Sequence, residues 1–369
     1  MPHDMIVFGE DWGAHPSSSQ HLVSHLAKDR GVVWVNSIGL RKPSLSVSDM
    51  SRAARKLGAA VRRKAPAASV PAPGPVVQPL ALLMAESRLG RAVNRALIGG
   101  KVRQAAQGLK RPVVWAALPS AVAALGALGE HAVVYYCGDD FAALAGVDHA
   151  ASQRMEAELV ARADLILAAS PALAARFPTH KTRLLPHGVD LDLFSTSVPR
   201  PADIPAGGPV AGFYGSLAPW IDLNLIAATA KMLPEWRFLM IGAAQADLSA
   251  IEDIGNIQRL GARPHAGLPG YAQHWDAGII PFRDTPQIRA CNPLKLREYL
   301  AAGRPVVSTD FPALDEYRHL ISVANTPEAF AAALRASLTD DNAAARRAAV
   351  AAQSWAARAA EAAAWIDAL

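Results

Sequence analysis

The sequence has few of the features that mark secreted proteins. Only two cysteines, Cys137 and Cys291, occur in 369 residues, which excludes a disulfide framework and favours a reducing compartment. The first residues, MPHDMIVFGEDWG, include acidic side chains and lack the basic start and long apolar core of a signal peptide. From these absences we expect a cytoplasmic protein.

The common phosphate-binding and metal-binding motifs are also missing. No G-x-G-x-x-G segment follows the first apolar run and no G-x-x-x-x-G-K-[ST] segment occurs, which argues against a nicotinamide dehydrogenase and a P-loop nucleotidase. The histidines form no helical pair beside a third acidic ligand. Asp190 and Asp192 form a D-x-D, but they lie where a turn is expected. We therefore predict no metal site and no cofactor.

Short apolar runs alternate with alanine-rich segments along the whole chain. They cover 5–9, 31–36, 112–118, 132–137 and 165–170 in the first half, and 209–215, 236–242, 278–282 and 305–309 in the second, with 256–261 and 320–324 as further candidates. Apolar strands that are each followed by a helix specify a parallel sheet covered on both faces. We therefore predict an α/β fold of two doubly wound, Rossmann-like domains facing across a cleft.

A segment rich in proline, serine and glycine separates the two halves. It predicts an N-terminal domain over 1–195, a linker over 196–208 and a C-terminal domain over 209–341. The alanine-rich segment 342–369 predicts helices, which we expect to cross back to the N-terminal domain. Ligands of doubly wound sheets bind at the carboxyl ends of the strands, so functional residues are expected in the loops that follow strands.

The stretch NPLKLREYLAAGRPVV predicts a helix that leads directly into a strand. Asn292 suits the N-cap, Pro293 the first helical position and Gly303 the C-terminal end. Lys295 and Glu298 then share one helical face near the N-terminal amides, where a charged or polyhydroxyl ligand could meet them. The alternative interpretation is a surface ion pair between these two residues.

Positive charge is concentrated in the first half of the chain. The first 200 residues carry 23 Lys and Arg against 15 Asp and Glu, and residues 41–64 alone carry eight basic residues and one acidic residue. Such a patch can bind anionic lipid headgroups or a phosphorylated acceptor, although a solvated helix face is the alternative. Without interleaved aromatics or a nucleic-acid-binding signature, no nucleic-acid partner is expected. The proposed membrane patch comprises Arg52, Arg55, Lys56, Arg62, Arg63 and Lys64.

Five motifs in combination resemble the GT-B glycosyltransferases, and most of all the broad family 4 and its teichuronic-acid-type relatives. They are ELVARADLILAASPALAARF, LLPHGVDLDLF, the segments 212–242 and 256–282, and NPLKLREYLAAGRPVV. The resemblance implies a nucleotide-sugar donor. It also implies that Glu298 accepts hydrogen bonds from the donor ribose. Lys295 and the amides after Asn292, in the turn that contains Pro293 and Leu294, would face the diphosphate.

The sequence departs from the family pattern at two places. Ala290 stands where family 4 enzymes carry a second glutamate, and GSLAPW stands where they carry an arginine and a lysine. The resemblance therefore leaves Lys295 and Arg289 as candidates to neutralise the diphosphate, with Ser216 and Gly215 in the same loop. Retention and inversion of configuration both remain open.

Acceptor-side candidates follow two strands of the first half. Asp139 and Asp140 could deprotonate or position an acceptor hydroxyl, although an Asp-rich helix cap is the alternative. A loop after the first strand supplies four more candidates, His15 as a catalytic residue and Ser17, Ser18 and Ser19 on the acceptor side, and one of the serines is explained as a helix cap.

The resemblance, together with the absence of a metal motif, thus implies a metal-independent glycosyltransferase. A UDP-sugar is the first choice of donor, and the expected acceptor is a polysaccharide precursor or a lipid-linked sugar. The expected location is the cytoplasm, with peripheral binding to the inner face of the cell membrane. The alternatives are a GT-B-type epimerase or phosphorylase, and a catalytically silent partner that binds nucleotide sugars.

Overall fold

The computed structural model describes residues 2–13, 17–37, 71–79, 88–144 and 147–369. The chain divides into two compact units. The first unit comprises Met1–Pro186 together with Arg358–Leu369, and the second comprises His187–Ala357. Each unit is built around one parallel sheet.

The described strands and helices alternate through both units. The strands are β1 (Met5–Phe8), β2 (Val32–Val35), β3 (Val76–Val77), β4 (Val113–Ala116), β5 (Ala132–Cys137), β6 (Leu165–Ala168), β7 (Thr182–Leu184), β8 (Val210–Tyr214), β9 (Arg237–Ile241), β10 (Ile257–Gly261), β11 (Ala277–Ile280), β12 (Val306–Ser308) and β13 (Ser322–Val323). The helices are α1 (Ser18–Leu26), α2 (Arg88–Ala105), α3 (His149–Arg162), α4 (Pro171–Ala174), α5 (Leu191–Ser195), α6 (Leu223–Met232), α7 (Ser249–Glu252), α8 (Leu268–Ala272), α9 (Pro286–Ala290), α10 (Leu294–Ala301), α11 (Pro327–Ser337), α12 (Ala343–Val350) and α13 (Trp355–Ile366). Short 3-10 helices cover Pro119–Ala123, Thr179–Lys181, His265–Gly267 and Pro312–Tyr317.

The sheet of the first unit has the order β3-β2-β1-β4-β5-β6-β7, with every pair parallel. The interior strand β1 is buried over its whole length, with Met5 paired to Val32 on one side and to Val113 on the other. The strand order reverses next to β1, which opens a crevice at the carboxyl ends of the strands. The loop after β1 and the loop after β5 therefore emerge at the same edge of the sheet.

The sheet of the second unit has the order β10-β9-β8-β11-β12-β13 and is also parallel. This is the strand order of the Rossmann fold, with its reversal next to β8. Aromatic rings fill the core between β8 and α10. The ring centroid of Tyr214 lies 5.0 Å from that of Tyr299 and 5.7 Å from that of Trp275. These structures confirm the predicted α/β fold of two doubly wound sheets.

Two described strands were absent from the sequence prediction. Strand β3 lies in a proline-rich stretch that was expected to be irregular, and β7 has the polar sequence TRL. Both lie at sheet edges, where one neighbour suffices and a strand can be short or polar. The further candidates 256–261 and 320–324 form β10 and β13.

The division into units differs from the predicted domain boundaries. Residues 187–208 belong to the second unit, including the segment that was predicted to be a linker. The amide of Val198 donates to the side chain of Gln273 at 3.1 Å, and Asp203 accepts hydrogen bonds from Arg263 and Tyr271, each at 2.9 Å. The segment is therefore fixed to its own unit. At the other end, Arg358–Leu369 belongs to the first unit, where Arg30 pairs with Asp367.

Within the described ranges, no helix is long and apolar enough to cross a membrane. The uncharged window 112–129, for example, divides into β4 and the 3-10 helix Pro119–Ala123.

Candidate active site

Helix α10 presents the Lys295 and Glu298 pair at the carboxyl edge of the second sheet. The predicted N-cap is wrong: Pro293 occupies that position and the helix begins at Leu294. Asn292 instead accepts a hydrogen bond from the Arg297 guanidinium through its side chain, and its carbonyl accepts one from His187 Nδ1 at 2.7 Å. The helix ends as predicted, because Gly303 follows with a φ of +77°.

Glu298 is a buried carboxylate held by donors from two other elements. The hydroxyl of Tyr214, the last residue of β8, donates to Oε2 at 2.7 Å. The Nε2 atom of His265, in the loop after β10, lies 3.1 Å from Oε1. A tenth of the Glu298 side chain stays exposed. A carboxylate has about four lone-pair positions, so each oxygen can accept a further hydrogen bond from a ligand.

The surroundings of His265, including Glu298, favour its protonated form. Burial is the largest influence and lowers the pKa of His265, but the hydrogen bond to Glu298 and the negative charges of Glu298 and Asp190 outweigh it, so that the pKa is raised. The imidazolium form therefore persists further toward neutral pH than in an exposed histidine. This form keeps a proton on Nε2 and donates to the carboxylate.

Lys295 is a half-buried cation with no ion-pair partner among the described residues. Its Nζ lies 5.0 Å from the ring centroid of Phe282 and 5.4 Å from that of Phe213, which stabilises the charge through the ring faces. Burial lowers the pKa of Lys295, and the charges of Glu298 and Cys291 oppose that effect. An ammonium group in this setting gains from an anionic ligand that would complete its environment.

The loop after β8 passes close to Lys295. Gly215 has a φ of +137°, and a Cβ atom there would lie 3.2 Å from Cε of Lys295. Gly242, after the neighbouring strand β9, has a φ of +150°, and a Cβ atom there would lie 1.9 Å from the Gly215 carbonyl oxygen. The two glycines therefore let the loops approach each other and bring Ser216, which is half-buried, to the same edge.

Arg289, the other cationic candidate for the diphosphate, is paired with an acidic side chain. Its guanidinium makes two hydrogen bonds of 2.6 Å to Asp284, and nearly two thirds of the side chain is exposed. The pair lies on and next to the short helix α9. Because Asp284 already balances the charge of Arg289, Lys295 is the better candidate for a diphosphate ligand.

In the first unit, Asp139 and Asp140 follow β5 but have different surroundings. Asp140 accepts a hydrogen bond of 2.6 Å from Arg176, which also binds Glu156 at 2.7 Å. Asp139 has no such cationic partner among the described residues. Partial removal from water is the largest influence on Asp139, and together with the charges of Glu10 and Asp140 it raises the pKa of that carboxyl to about 7.

Asp139 nevertheless has an exposed side chain just after the end of β5. A carboxyl that is accessible and has a pKa of about 7 is suited to exchange a proton with a ligand near neutral pH. Of the two aspartates, Asp139 is therefore the candidate base, and Asp140 is a structural ion-pair partner.

The serine candidates lie at the start of α1. Ser17 is the N-cap, as expected for one of the three; it accepts from the Gln20 amide at 3.3 Å and donates to Glu10 at 2.9 Å. Ser18 begins the helix and Ser19 is buried. His15 lies outside the described residues, as does the basic segment 41–64.

The second unit also matches a known sequence family. The family model described as "Glycosyl transferases group 1" covers residues 208–340. This range contains β8, both glycine loops and the Lys295 and Glu298 helix. The second unit is therefore similar to the group 1 glycosyltransferases over this range.

A curated relative matches a longer part of the chain. TuaH of Bacillus subtilis (strain 168), whose name describes a glycosyltransferase of teichuronic acid biosynthesis, is 33% identical over 202 residues. The match covers 49% of this chain and 51% of TuaH, so the chain matches about half the length of this relative.

Solved structures show the fold of the whole chain to be GT-B. HepE of Anabaena, described as a complex with UDP and glucose, has a TM-score of 0.72 at 16% identity, covering 100% of both chains. Sucrose-phosphate synthase of Thermosynechococcus elongatus has a TM-score of 0.70 at 15% identity, covering 98% of this chain and 97% of that one. A glycosyltransferase of Rickettsia africae ESF-5 has a TM-score of 0.68 at 12% identity, covering 99% and 98%.

The sequence analysis missed three residues at the carboxyl edges of the two sheets. Tyr214 and His265 contact Glu298 from positions 84 and 33 residues away along the chain. Glu10 contributes to the raised pKa of Asp139 from the loop after β1. Glu10 could have been found from its place directly after the first predicted strand, whereas nothing in the spacing of Tyr214 or His265 points to Glu298.

No group of three His, Cys, Asp or Glu side chains in the described parts of the chain is arranged to hold a metal ion. Asp190 caps α5 by accepting from the Leu193 amide at 3.1 Å, which is the turn expected for the D-x-D segment.

Proposed function

We propose that the chain is a glycosyltransferase that moves a sugar from a UDP-sugar to a polysaccharide precursor or a lipid-linked acceptor. One observation carries the proposal: the buried Glu298 carboxylate, held by Tyr214 and His265, lies one helical turn from the ammonium group of Lys295, which has no ion-pair partner among the residues that the structure describes. A nucleoside diphosphate presents a ribose diol and a diphosphate, and this edge of the sheet offers acceptors for the first and a cation for the second.

The donor role divides between two groups. Glu298 would accept hydrogen bonds from ribose hydroxyls, since a lone pair remains on each carboxylate oxygen. Lys295, the first amides of α10 and the Gly215 loop would meet the diphosphate, whose negative charge grows as the bond to the sugar breaks. The description of HepE as a complex with UDP-glucose supports UDP as the nucleotide.

The acceptor role is assigned to the first unit. In an inverting reaction, Asp139 would take the proton of the acceptor hydroxyl as its oxygen attacks the anomeric carbon and UDP leaves. In a retaining reaction the same carboxylate would position the hydroxyl. The name of TuaH supports a cell-envelope polysaccharide as the acceptor class.

The test is turnover of a panel of UDP-sugars by the purified protein, with GDP-mannose as a comparison and with lipid-linked and soluble sugar acceptors. We expect acceptor-dependent release of UDP from one donor, and loss of that release in Glu298→Ala. The exposed Glu235→Ala is the matched control and should keep wild-type turnover.

The other outcomes would contradict the proposal in distinguishable ways. UDP-sugar converted to an isomer without transfer identifies an epimerase. Binding of UDP-sugar without turnover of any donor and acceptor pair identifies a silent partner. Ala290, which stands in place of the second family glutamate, is the residue that favours this alternative.

A further inference from the structure

The contacts of Glu298 suggest a more specific property of the donor site, which rests on the proposed function. We propose that Tyr214 and His265 are positioning residues that fix the Glu298 carboxylate for the 2′- and 3′-hydroxyls of a ribonucleotide. The second unit would then select ribonucleoside diphosphates against their deoxy analogues. Neither residue needs to touch the nucleotide, because both act through Glu298.

The geometry divides the two carboxylate oxygens between two donors. The Tyr214 hydroxyl donates to Oε2 at 2.7 Å, and His265 Nε2 lies 3.1 Å from Oε1. Each oxygen therefore gives one acceptor position to the protein and keeps another. The remaining pair of acceptors suits two hydroxyls on adjacent carbons, which is what a ribose offers and a deoxyribose does not.

Both donors are themselves held in place. Tyr214 is buried between Trp275 and Tyr299, with ring centroids 5.7 Å and 5.0 Å away, and its amide donates to the Tyr299 hydroxyl at 3.2 Å. The ring of His265 packs edge-on against Phe194 at 5.7 Å. A carboxylate clamped by two packed donors loses little conformational freedom when a ligand binds, so it binds more tightly than a mobile one.

Two basic side chains surround the Glu298 carboxylate. Asp190 faces His265 and supports its positive charge. Lys295, on the same helix as Glu298, adds a second cation. Tyr214 and His265 thus orient the Glu298 carboxylate, and His265 also supplies part of the positive charge that balances it.

A purely structural role for the two residues is the alternative. In that case they would only satisfy a buried carboxylate, and their loss would weaken all nucleotides equally. If Tyr214 and His265 position Glu298, their replacement should lower the affinity for ligands that carry both ribose hydroxyls more than for ligands that lack one. The measurement must therefore compare ligands as well as variants.

The experiment is calorimetric titration with UDP, 2′-deoxy-UDP and 3′-deoxy-UDP of the wild type, Tyr214→Phe and His265→Gln. Wild type should bind UDP at least about tenfold more tightly than either deoxy analogue, the scale of one hydrogen bond to a charged group. Each variant should lose about five- to tenfold in affinity for UDP and less than twofold for the deoxy analogues. Glu235→Ala, at an exposed position of the same unit, is the control and should keep the wild-type values.

Each contrary outcome has a separate meaning. Equal losses for all three ligands, or no loss in variants whose melting curves show a folded protein, overturn the positioning role. Equal binding of UDP and the deoxy analogues by the wild type overturns the proposed recognition of the ribose hydroxyls, but it leaves the proposed binding of a nucleotide donor intact. No binding of UDP by the wild type overturns the proposed function itself.

Discussion

At the scale of single residues, Asp139 and Asp140 show how neighbouring carboxylates acquire different chemistry. Arg176 neutralises Asp140, whereas the carboxyl of Asp139 faces the charges of Glu10 and Asp140 and has its pKa raised to about 7. A raised pKa means that the folded state holds the proton more firmly than the unfolded state, in which an aspartic acid ionises near about 3.9. Folding stability therefore falls as pH rises from the lower value to about 7.

This difference predicts the pH dependence of the reaction. If Asp139 is the base, kcat/KM should rise as pH increases through about 7, because only the ionised carboxylate accepts a proton. Asp139→Asn should lose about 10²- to 10⁴-fold in rate, lose this pH dependence and unfold at a higher urea concentration above pH 7. Asp140→Asn should keep the rise through the same pH. A pH profile unchanged by Asp139→Asn would remove that residue from the chemistry.

Lys295 is a second single residue whose surroundings predict its role. Its charge lacks an ion-pair partner in the described part of the chain. Its interaction with the leaving diphosphate should be strongest in the transition state, when negative charge is greatest. We expect Lys295→Ala to lower kcat by about 10²- to 10³-fold at saturating donor, with a smaller change in donor affinity. Steady-state kinetics measures both quantities. A variant with the wild-type kcat would contradict the role.

At the scale of the elements, the two glycine loops after β8 and β9 shape the donor edge. Gly242 combines a φ of +150° with a Cβ position only 1.9 Å from the Gly215 carbonyl oxygen. Gly242→Ala should therefore destabilise the protein by about 2 kcal/mol or more and weaken UDP binding, as the loops are forced apart.

Gly255 provides the control for this substitution. It lies in the same unit with open space around its Cβ position, so Gly255→Ala should change stability by less than about 0.5 kcal/mol. Urea titration of both variants measures the difference. Equal stability of the two variants would show that the close approach of the loops is not needed.

The elements also show what the sequence could predict. Strands such as β1, β5 and β11 are buried on both faces, so burial leaves a continuous apolar run in the sequence. Strands β3 and β7 lie at edges and leave no such run. Helix α10 was predicted, but its start was misplaced because the side chain of Asn292 accepts from Arg297 instead of capping the helix.

The site was predicted only where one segment carries it. Lys295 and Glu298 share a helical turn, so their spacing could be read directly from the sequence. The contacts of Glu298 with Tyr214 and His265 join three segments through the sheet, and no local pattern records them. The resemblance to a family suggested the role of Glu298 but gave no partner for it.

At the scale of the whole molecule, the basic segment 41–64 remains a prediction from sequence, since it lies outside the described residues. Helix α2, in the same unit, is also basic: it carries five Lys and Arg and no acidic residue, and it exposes Leu89 and Leu97. Both features favour binding to an anionic lipid surface, where a lipid-linked acceptor would present its sugar.

The basic segment 41–64 predicts salt-sensitive sedimentation with anionic vesicles at low ionic strength. Replacement of Arg52, Arg55, Lys56, Arg62, Arg63 and Lys64 with glutamine should abolish sedimentation and leave UDP affinity unchanged, because Glu298 and Lys295 belong to the other unit. Neutral vesicles are the control. A wild-type protein that stays in the supernatant with anionic vesicles would favour a soluble acceptor.

The central claim is that the second unit binds a nucleotide-sugar donor through Glu298, and the affinity for UDP tests it most directly. Glu298→Ala should weaken UDP binding by about 1.5 to 3 kcal/mol, the scale of hydrogen bonds to a charged group. It should also cost about 1 to 3 kcal/mol of stability, because the buried Tyr214 hydroxyl loses its acceptor. The protein must therefore be shown to be folded at the temperature of the titration.

The titration itself compares wild type, Glu298→Ala and the exposed control Glu235→Ala by calorimetry with UDP. We expect binding by the wild type and the control, and a loss of about ten- to a hundredfold in the folded Glu298→Ala variant. A folded Glu298→Ala variant that binds UDP as tightly as the wild type would contradict it.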